Sequence, residues 1–220
     1  KIREENNDKS GMADSYNNIG FVHKDQGDTK VAMEYFKKTL KIDIEEHNDD
    51  GMAYSYNNMG LVFRLNGDLD QALECFEKSL KLRAGLEDKY GMAMSYHNIG
   101  SILTIKAKDE KINQSEKDSL QKRGLKLMKL GVSLEQEIGS KSGESSSLGS
   151  IARIQMNQGD LTDAKQSAEK GLKLAQAIGH VEYIQRNSAV LSEILAKLGN
   201  YRQAYLMQNL ATQMKDSLSA

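Results

Sequence analysis

Residues 51–60 read "GMAYSYNNMG", and the same wording stands forty residues to either side, as "GMADSYNNIG" at 11–20 and "GMAMSYHNIG" at 91–100. Within and just beyond the middle copy, Tyr56, Met59, Gly60 and Phe63 fall at i, i+3, i+4 and i+7, which is one stripe of an α-helix. After "NGD" at 66–68, Leu69, Ala72, Leu73, Phe76 and Leu80 form a second stripe. The unit is therefore two amphipathic helices joined by a tight turn. Extending the alignment gives five units, at about 11–50, 51–90, 91–142, 143–182 and 183–220, the third twelve residues longer than its neighbours.

The punctuation between stripes supports this reading. Gly27-Asp28, Gly67-Asp68, Gly159-Asp160 and Gly199-Asn200 recur in four of the five units. Glycine takes the left-handed conformation that ends one helix, and Asp or Asn is expected to cap the next. Asp8, Asn48, Asp88, Ser140 and His180 hold equivalent positions between units, and all but the histidine are favoured N-caps. Small residues recur where helices must approach closely: Gly20, Gly60, Gly100 and Ala152 in first helices, and Ala32, Ala72, Gly124, Ala164 and Ala204 in second helices. Thr39, Ser79, Gly131, Gly171 and Ala211 follow seven residues later, with Phe36, Phe76 and Met128 between. Such a hairpin cannot bury its apolar face alone, and stacking on its neighbours lets it do so.

This small–turn–small–aromatic–small pattern resembles the tetratricopeptide repeat over essentially the whole chain. The resemblance implies an all-α fold, a right-handed superhelical solenoid of about five helix-turn-helix repeats forming a single domain over 1–220. Two departures are visible: the units are forty residues rather than the usual 34, and the proline common at the unit's end is missing. The longer form is similar to Pins/LGN-type scaffolds, Rap-type bacterial regulators and the sensory regions of bacterial signalling proteins. Residues 1–10 align with the ends of second helices at 41–50 and 81–90, so the chain is expected to start inside a repeat.

Composition narrows the function classes. With 30 basic and 31 acidic residues the whole-chain charge offers no bulk attraction to nucleic acid or a membrane surface. No apolar run approaches the roughly 20 residues that span a bilayer. Cys75 is alone, so no intramolecular disulfide forms, and it reads as a packing residue. His23, His47, His97 and His180 show no metal-ligand spacing, and no Ser-His-Asp or Cys-His grouping stands out. No cofactor, metal site or catalytic residue is expected, and His23 reads as a half-buried packing histidine.

By the resemblance, first helices line a concave groove. It would receive Asp14, Asn17, Asn18, Phe21 and Lys24 from the first unit, and Tyr54, Asn57, Asn58, Leu61, Arg64 and Leu65 from the second. Met94, His97, Asn98, Ser101 and Ile105 would come from the third. An Asn side chain carries two donors and an acceptor, so a row of them could pair with the backbone of an extended peptide. The same amides could instead bond between adjacent first helices and fix their stacking. For Asn18, Asn58 and Asn98 that structural role carries at least equal weight, whereas Asn17, Asn57 and His97 are expected to face the groove. Gly149, Ser150, Ala189 and Val190 break the row in the last two units.

The third unit lacks Gly-Asp and reads "KAKDEKINQSEKDSLQKRG" at 106–124. Divided evenly, its twelve extra residues lengthen each helix by about six, or ~9 Å, which predicts an extended hairpin. A partner or dimer contact, giving a homo-oligomer, is one reading of it; a solvated basic face is the other.

The function this supports is a non-enzymatic scaffold that binds a protein or peptide partner, as the sensory or adaptor region of a larger bacterial signalling protein. Two alternatives stay open, the regulatory part of a Rap-type phosphatase regulator and a structural spacer. The compartment is unknown, although the closing "KDSL" at 215–218 resembles the last repeat of extracytoplasmic bacterial sensors.

Overall fold

The computed structural model describes residues 8–219, and within them ten α-helices follow one another without a strand. They are α1 (Lys9–Asp25), α2 (Thr29–Glu45), α3 (Asp49–Asn66), α4 (Leu69–Gly85), α5 (Lys89–Lys106), α6 (Gln114–Glu137), α7 (Lys141–Gln158), α8 (Leu161–Ile178), α9 (Val181–Lys197) and α10 (Tyr201–Ser219). The sequence pattern suggests one continuous stack. The packing divides it into two compact units that meet in the chain within α5, one ending at Ile102 and the other starting at Leu103.

In the first unit α1 packs on α2, α3 on α4, and α2 on α3, so each hairpin leans on the next. Ala32, Phe36, Met59, Val62 and Cys75 form its buried core, bordered by Met33, Leu40, Tyr56 and Phe63. The small first-helix residues are explained by the phenylalanines. A Cβ added at Gly20 would sit 2.7 Å from Phe36 Cε1, and one at Gly60 would sit 2.7 Å from Phe76 Cε1. In the second unit α7 pairs with α8 and α9 with α10, with α6 packed on α7. Alanines 152, 164, 168 and 175 interleave there with Leu172, Ile184, Leu191 and Ile194.

A second regularity ties the two helices of a hairpin together. Thr39 Oγ1 donates to the Ala13 carbonyl at 3.4 Å, and Ser79 Oγ to the Ala53 carbonyl at 2.9 Å. In the α7–α8 hairpin the hydroxyl has changed sides: Ser145 Oγ, on the first helix, donates to the Gly171 carbonyl at 2.8 Å. In these three hairpins a hydroxyl at the crossing satisfies a buried carbonyl while leaving the helices close.

The connections follow the expected logic with two differences. Asp8, Asn48, Asp88 and Ser140 each accept a backbone N–H three residues on, at 2.9 to 3.3 Å. His180 does the same through Nδ1, at 3.4 Å from the Tyr183 amide. Within hairpins the glycines are left-handed, with φ of 85° at Gly27, 84° at Gly67, 88° at Gly159 and 78° at Gly199. The aspartates that follow differ from expectation: Asp28, Asp68 and Asp160 stand at the N-cap but their side chains make no cap bond. The left-handed glycine already turns the chain there, and only the Asp backbone carbonyl joins the helix, as at Ala32 N–Asp28 O, 3.0 Å.

The insertion in the third unit is not shared evenly. α5 stops at Lys106, forty residues after α3 stops at Asn66. The extra residues go into the connector 107–113 and into a 24-residue α6. Asn113 sets the start of that helix, its Oδ1 accepting the Glu116 amide at 2.9 Å. A capping residue placed this early lets α6 grow backwards, while α5 has no matching extension.

Candidate functional site

Helices α1, α3 and the part of α5 up to Ile102 carry the residues nominated from sequence, and their surroundings separate them into three groups. Asp14, Asn18, Phe21 and Tyr54 are exposed, Tyr54 by 49%. Asn17, Leu61, His97 and Asn98 are half-buried. Lys24 is also half-buried, but its ammonium lies 4.3 Å over the Phe21 ring and pairs with Asp25, so its charge is spent within α1. Arg64 is half-buried, with a buried Nε that has no hydrogen-bond partner among the described residues.

Asn57 and Asn58 are corrections to the groove list. They are buried, at 9% and 8% exposure. Asn58 Nδ2 donates to Asn17 Oδ1 at 2.9 Å, and Asn98 Nδ2 donates to Asn57 Oδ1 at 2.9 Å. The pairs thus form rungs between consecutive first helices. A desolvated amide demands a partner, and the next repeat's amide supplies it.

What the sequence pattern did not reveal lies beside these rungs. Between the first half of α1, the end of α2 and the start of α3 is a cleft of about 530 Å³, with Asp14, Asn17, Asp43, Glu46, Asp50, Tyr54 and Ser55 among its lining residues. Asp43 is 3% exposed. It accepts hydrogen bonds from Ser55 Oγ at 3.1 Å and Asn48 Nδ2 at 3.2 Å, both neutral donors. Burial holds its carboxyl above the ordinary aspartate range against those bonds, and the carboxylates of Asp14 and Asp50 push the same way.

One repeat later the equivalent position is Arg83, 5% exposed. Its guanidinium bonds Asp88 at 2.9 Å, pairs with Asp50, and lies 4.1 Å over the Tyr54 ring. The space at that seam, lined by Tyr54, Arg83, Tyr90 and Met94 among others, shrinks to about 20 Å³. In the second unit the same register holds Glu135, whose Oε1 accepts from Ser147 Oγ at 3.0 Å while Oε2 is buried with no hydrogen-bond partner among the described residues. Burial raises its carboxyl to about 7, with Glu144 adding to the effect and the Ser147 bond opposing it. A signal for this register was present: residues 36, 39 and 43 share one helix stripe, so a charged residue at 43 had to be buried.

The remaining candidates are structural. His23 stacks on Tyr35 at 6.2 Å and meets Asp28 at 3.3 Å. Cys75 is buried, which pushes its thiol up to about 11 and leaves little thiolate at neutral pH. Among the described residues no group of three or more His, Cys, Asp or Glu could hold a metal ion, and no helix is long and apolar enough to cross a membrane.

Comparison with known proteins agrees with this architecture. No curated protein sequence matches the chain. Among solved structures, BtubC (BKLC) from P. vanneervenii superposes with a TM-score of 0.79 at 14% identity, over 100% of this chain and 87% of the other. The apo form of RapI gives 0.69 at 16% identity, over 95% and 85%. A Podosopora anserina putative kinesin light chain with nearly identical TPR-like repeats gives 0.67 at 12%, over 93% and 95%. Tetratricopeptide-repeat models match residues 12–50, 51–121 and 145–178, well over half the chain. With forty-residue helical hairpins stacked through glycine–phenylalanine contacts and matched by these models in succession, the chain belongs to the tetratricopeptide-repeat family.

Proposed function

We propose that the chain is a non-catalytic interaction scaffold, and that the first-helix face of the unit ending at Ile102 binds an extended segment of a partner protein. The observation that carries this is the row Asp14, Tyr54 and Met94. These residues repeat at forty-residue intervals on α1, α3 and α5, and all three are exposed. Tyr54 and Met94 offer apolar surface, and Tyr54 borders a cleft that is large enough for a side chain. An extended segment advances about 3.3 Å per residue, so side chains a few residues apart can meet successive repeats. Stacked hairpins suit this use because each adds one more contact strip to the same face. In a larger bacterial signalling protein such a face would serve as the sensory or adaptor surface.

Peptides selected from a random display library on the immobilised chain test the reading. Replacing Tyr54 or Met94 by Ala is expected to weaken the selected peptides about fivefold or more, in line with the loss of a buried apolar contact. Substitutions at exposed α10 positions such as Tyr205 should leave them unchanged. Peptides indifferent to Tyr54 and Met94 would contradict it.

A further inference from the structure

Asp43 is a buried carboxylate held by neutral donors only, at the wall of a cleft open to solvent. Buried charges are ordinarily paired, because desolvation costs more than neutral hydrogen bonds return. The other carboxylates of the cleft differ in how far they are compensated. Glu46 is paired with Lys9 at 3.0 Å and Asp50 with Arg83, whereas Asp14 and Asp43 have no ion pair among the described residues. The carboxyl groups of Asp14 and Asp43 thus face one cavity with no cation paired to either among the described residues.

The next repeat shows what fills this position when the chain supplies it. Arg83, forty residues after Asp43, lays its guanidinium against Tyr54 and between Asp50 and Asp88, and the seam around it is closed. At the first seam the arginine is replaced by a carboxylate, Tyr54's counterpart is Asp14, and the cavity stays open. The cavity has room for the side chain that occupies the same place one repeat on, and its negative charge comes from Asp43 and Asp14, since the counterparts of Asp50 and Asp88 here are Ser10 and Asn48. Among the described residues no group of three or more His, Cys, Asp or Glu could hold a metal ion, so the cavity suits an organic cation better than a metal.

We propose that the cleft between α1, α2 and α3 receives an arginine side chain of the partner segment. This rests on the docking reading above and names the residue that anchors it. The guanidinium would donate to Asp43 and Asp14 in the forked geometry that favours arginine over lysine, while the adjoining residues of the segment continue along the face toward Tyr54 and Met94.

The test uses the peptides selected on the whole chain, resynthesised with each arginine replaced by citrulline, which keeps the shape and removes the charge. The proposal expects selected peptides to carry arginine and to lose about tenfold or more in affinity on citrulline replacement. Asp43→Arg, which puts the chain's own arginine into the seam, should abolish binding with the helix content unchanged in circular dichroism. Asp14→Asn alters only an exposed side chain, so it keeps the test open if Asp43→Arg misfolds, and should weaken binding about threefold or more. Peptides that depend on Tyr54 and Met94 but tolerate citrulline would overturn the arginine and leave the docking reading standing. Arginine peptides indifferent to Asp14→Asn would overturn it too. A library that yields no binder would overturn both.

Discussion

Asn58 reaches back forty-one residues to donate its amide to Asn17 at 2.9 Å, and Asn98 repeats the contact on Asn57. The most conspicuous polar repetition in the chain is thereby assigned to helix stacking. Asn58→Ala should lower stability by roughly 1–3 kcal/mol, because it removes a buried partner as well as its own bond. A double-mutant cycle with Asn17→Ala should show coupling of about 0.5–1.5 kcal/mol in urea unfolding. Simple additivity would show that the rung carries no stability.

The glycines opposite phenylalanine predict a sharp contrast. Gly60→Ala would drive a methyl to 2.7 Å from the Phe76 ring and should cost about 1–3 kcal/mol. Gly85→Ala, with nothing within 4 Å, should be neutral or stabilising by up to about 1 kcal/mol. Thermal midpoints of the two variants decide the matter.

Two residues occupy the left-handed turn that glycine holds elsewhere. His47 has φ of 53° and Glu87 has 54°, at the positions where Gly139 and Gly179 stand in later units. His47→Gly and Glu87→Gly should each stabilise the chain by about 1 kcal/mol through relief of the Cβ clash. A loss of stability in both variants would contradict the strain.

Glu135 predicts a pH dependence with a definite sign. Its folded value of about 7 lies above the ordinary glutamate value of 4.5, so the folded state binds the proton more tightly than the unfolded state does. The stability this contributes is fully present below about pH 4.5 and is lost as pH rises through 7, by on the order of 3 kcal/mol. Glu135→Gln should flatten the urea midpoint between pH 5 and pH 8. An unchanged slope would place the effect elsewhere.

Helix identity and the hairpin order were legible because Tyr56, Met59, Gly60 and Phe63 repeat with helical spacing and Gly-Asp marks the turns. The fate of the Asn pairs was not, since an amide satisfies an extended peptide and a neighbouring amide equally well. Nor was the division of the insertion, which depends on Asn113 capping α6 well before the unit's usual register. Asp43 is hidden in the sequence for a different reason. The alignment of 43 with 83 and 135 shows Asp, Arg and Glu, which resembles surface variation until burial reveals that all three face a seam.

The proposed partner-binding face is made by the first helices of the unit ending at Ile102. Backbone amide shifts in NMR, recorded as a selected peptide is added to the whole chain, test it most directly. The largest changes are predicted at Asp14, Asn17, Tyr54 and Met94, with α2 and α4 outer positions such as Lys37 and Glu77 unmoved. A footprint centred on those second helices, or on residues beyond 103, would contradict it.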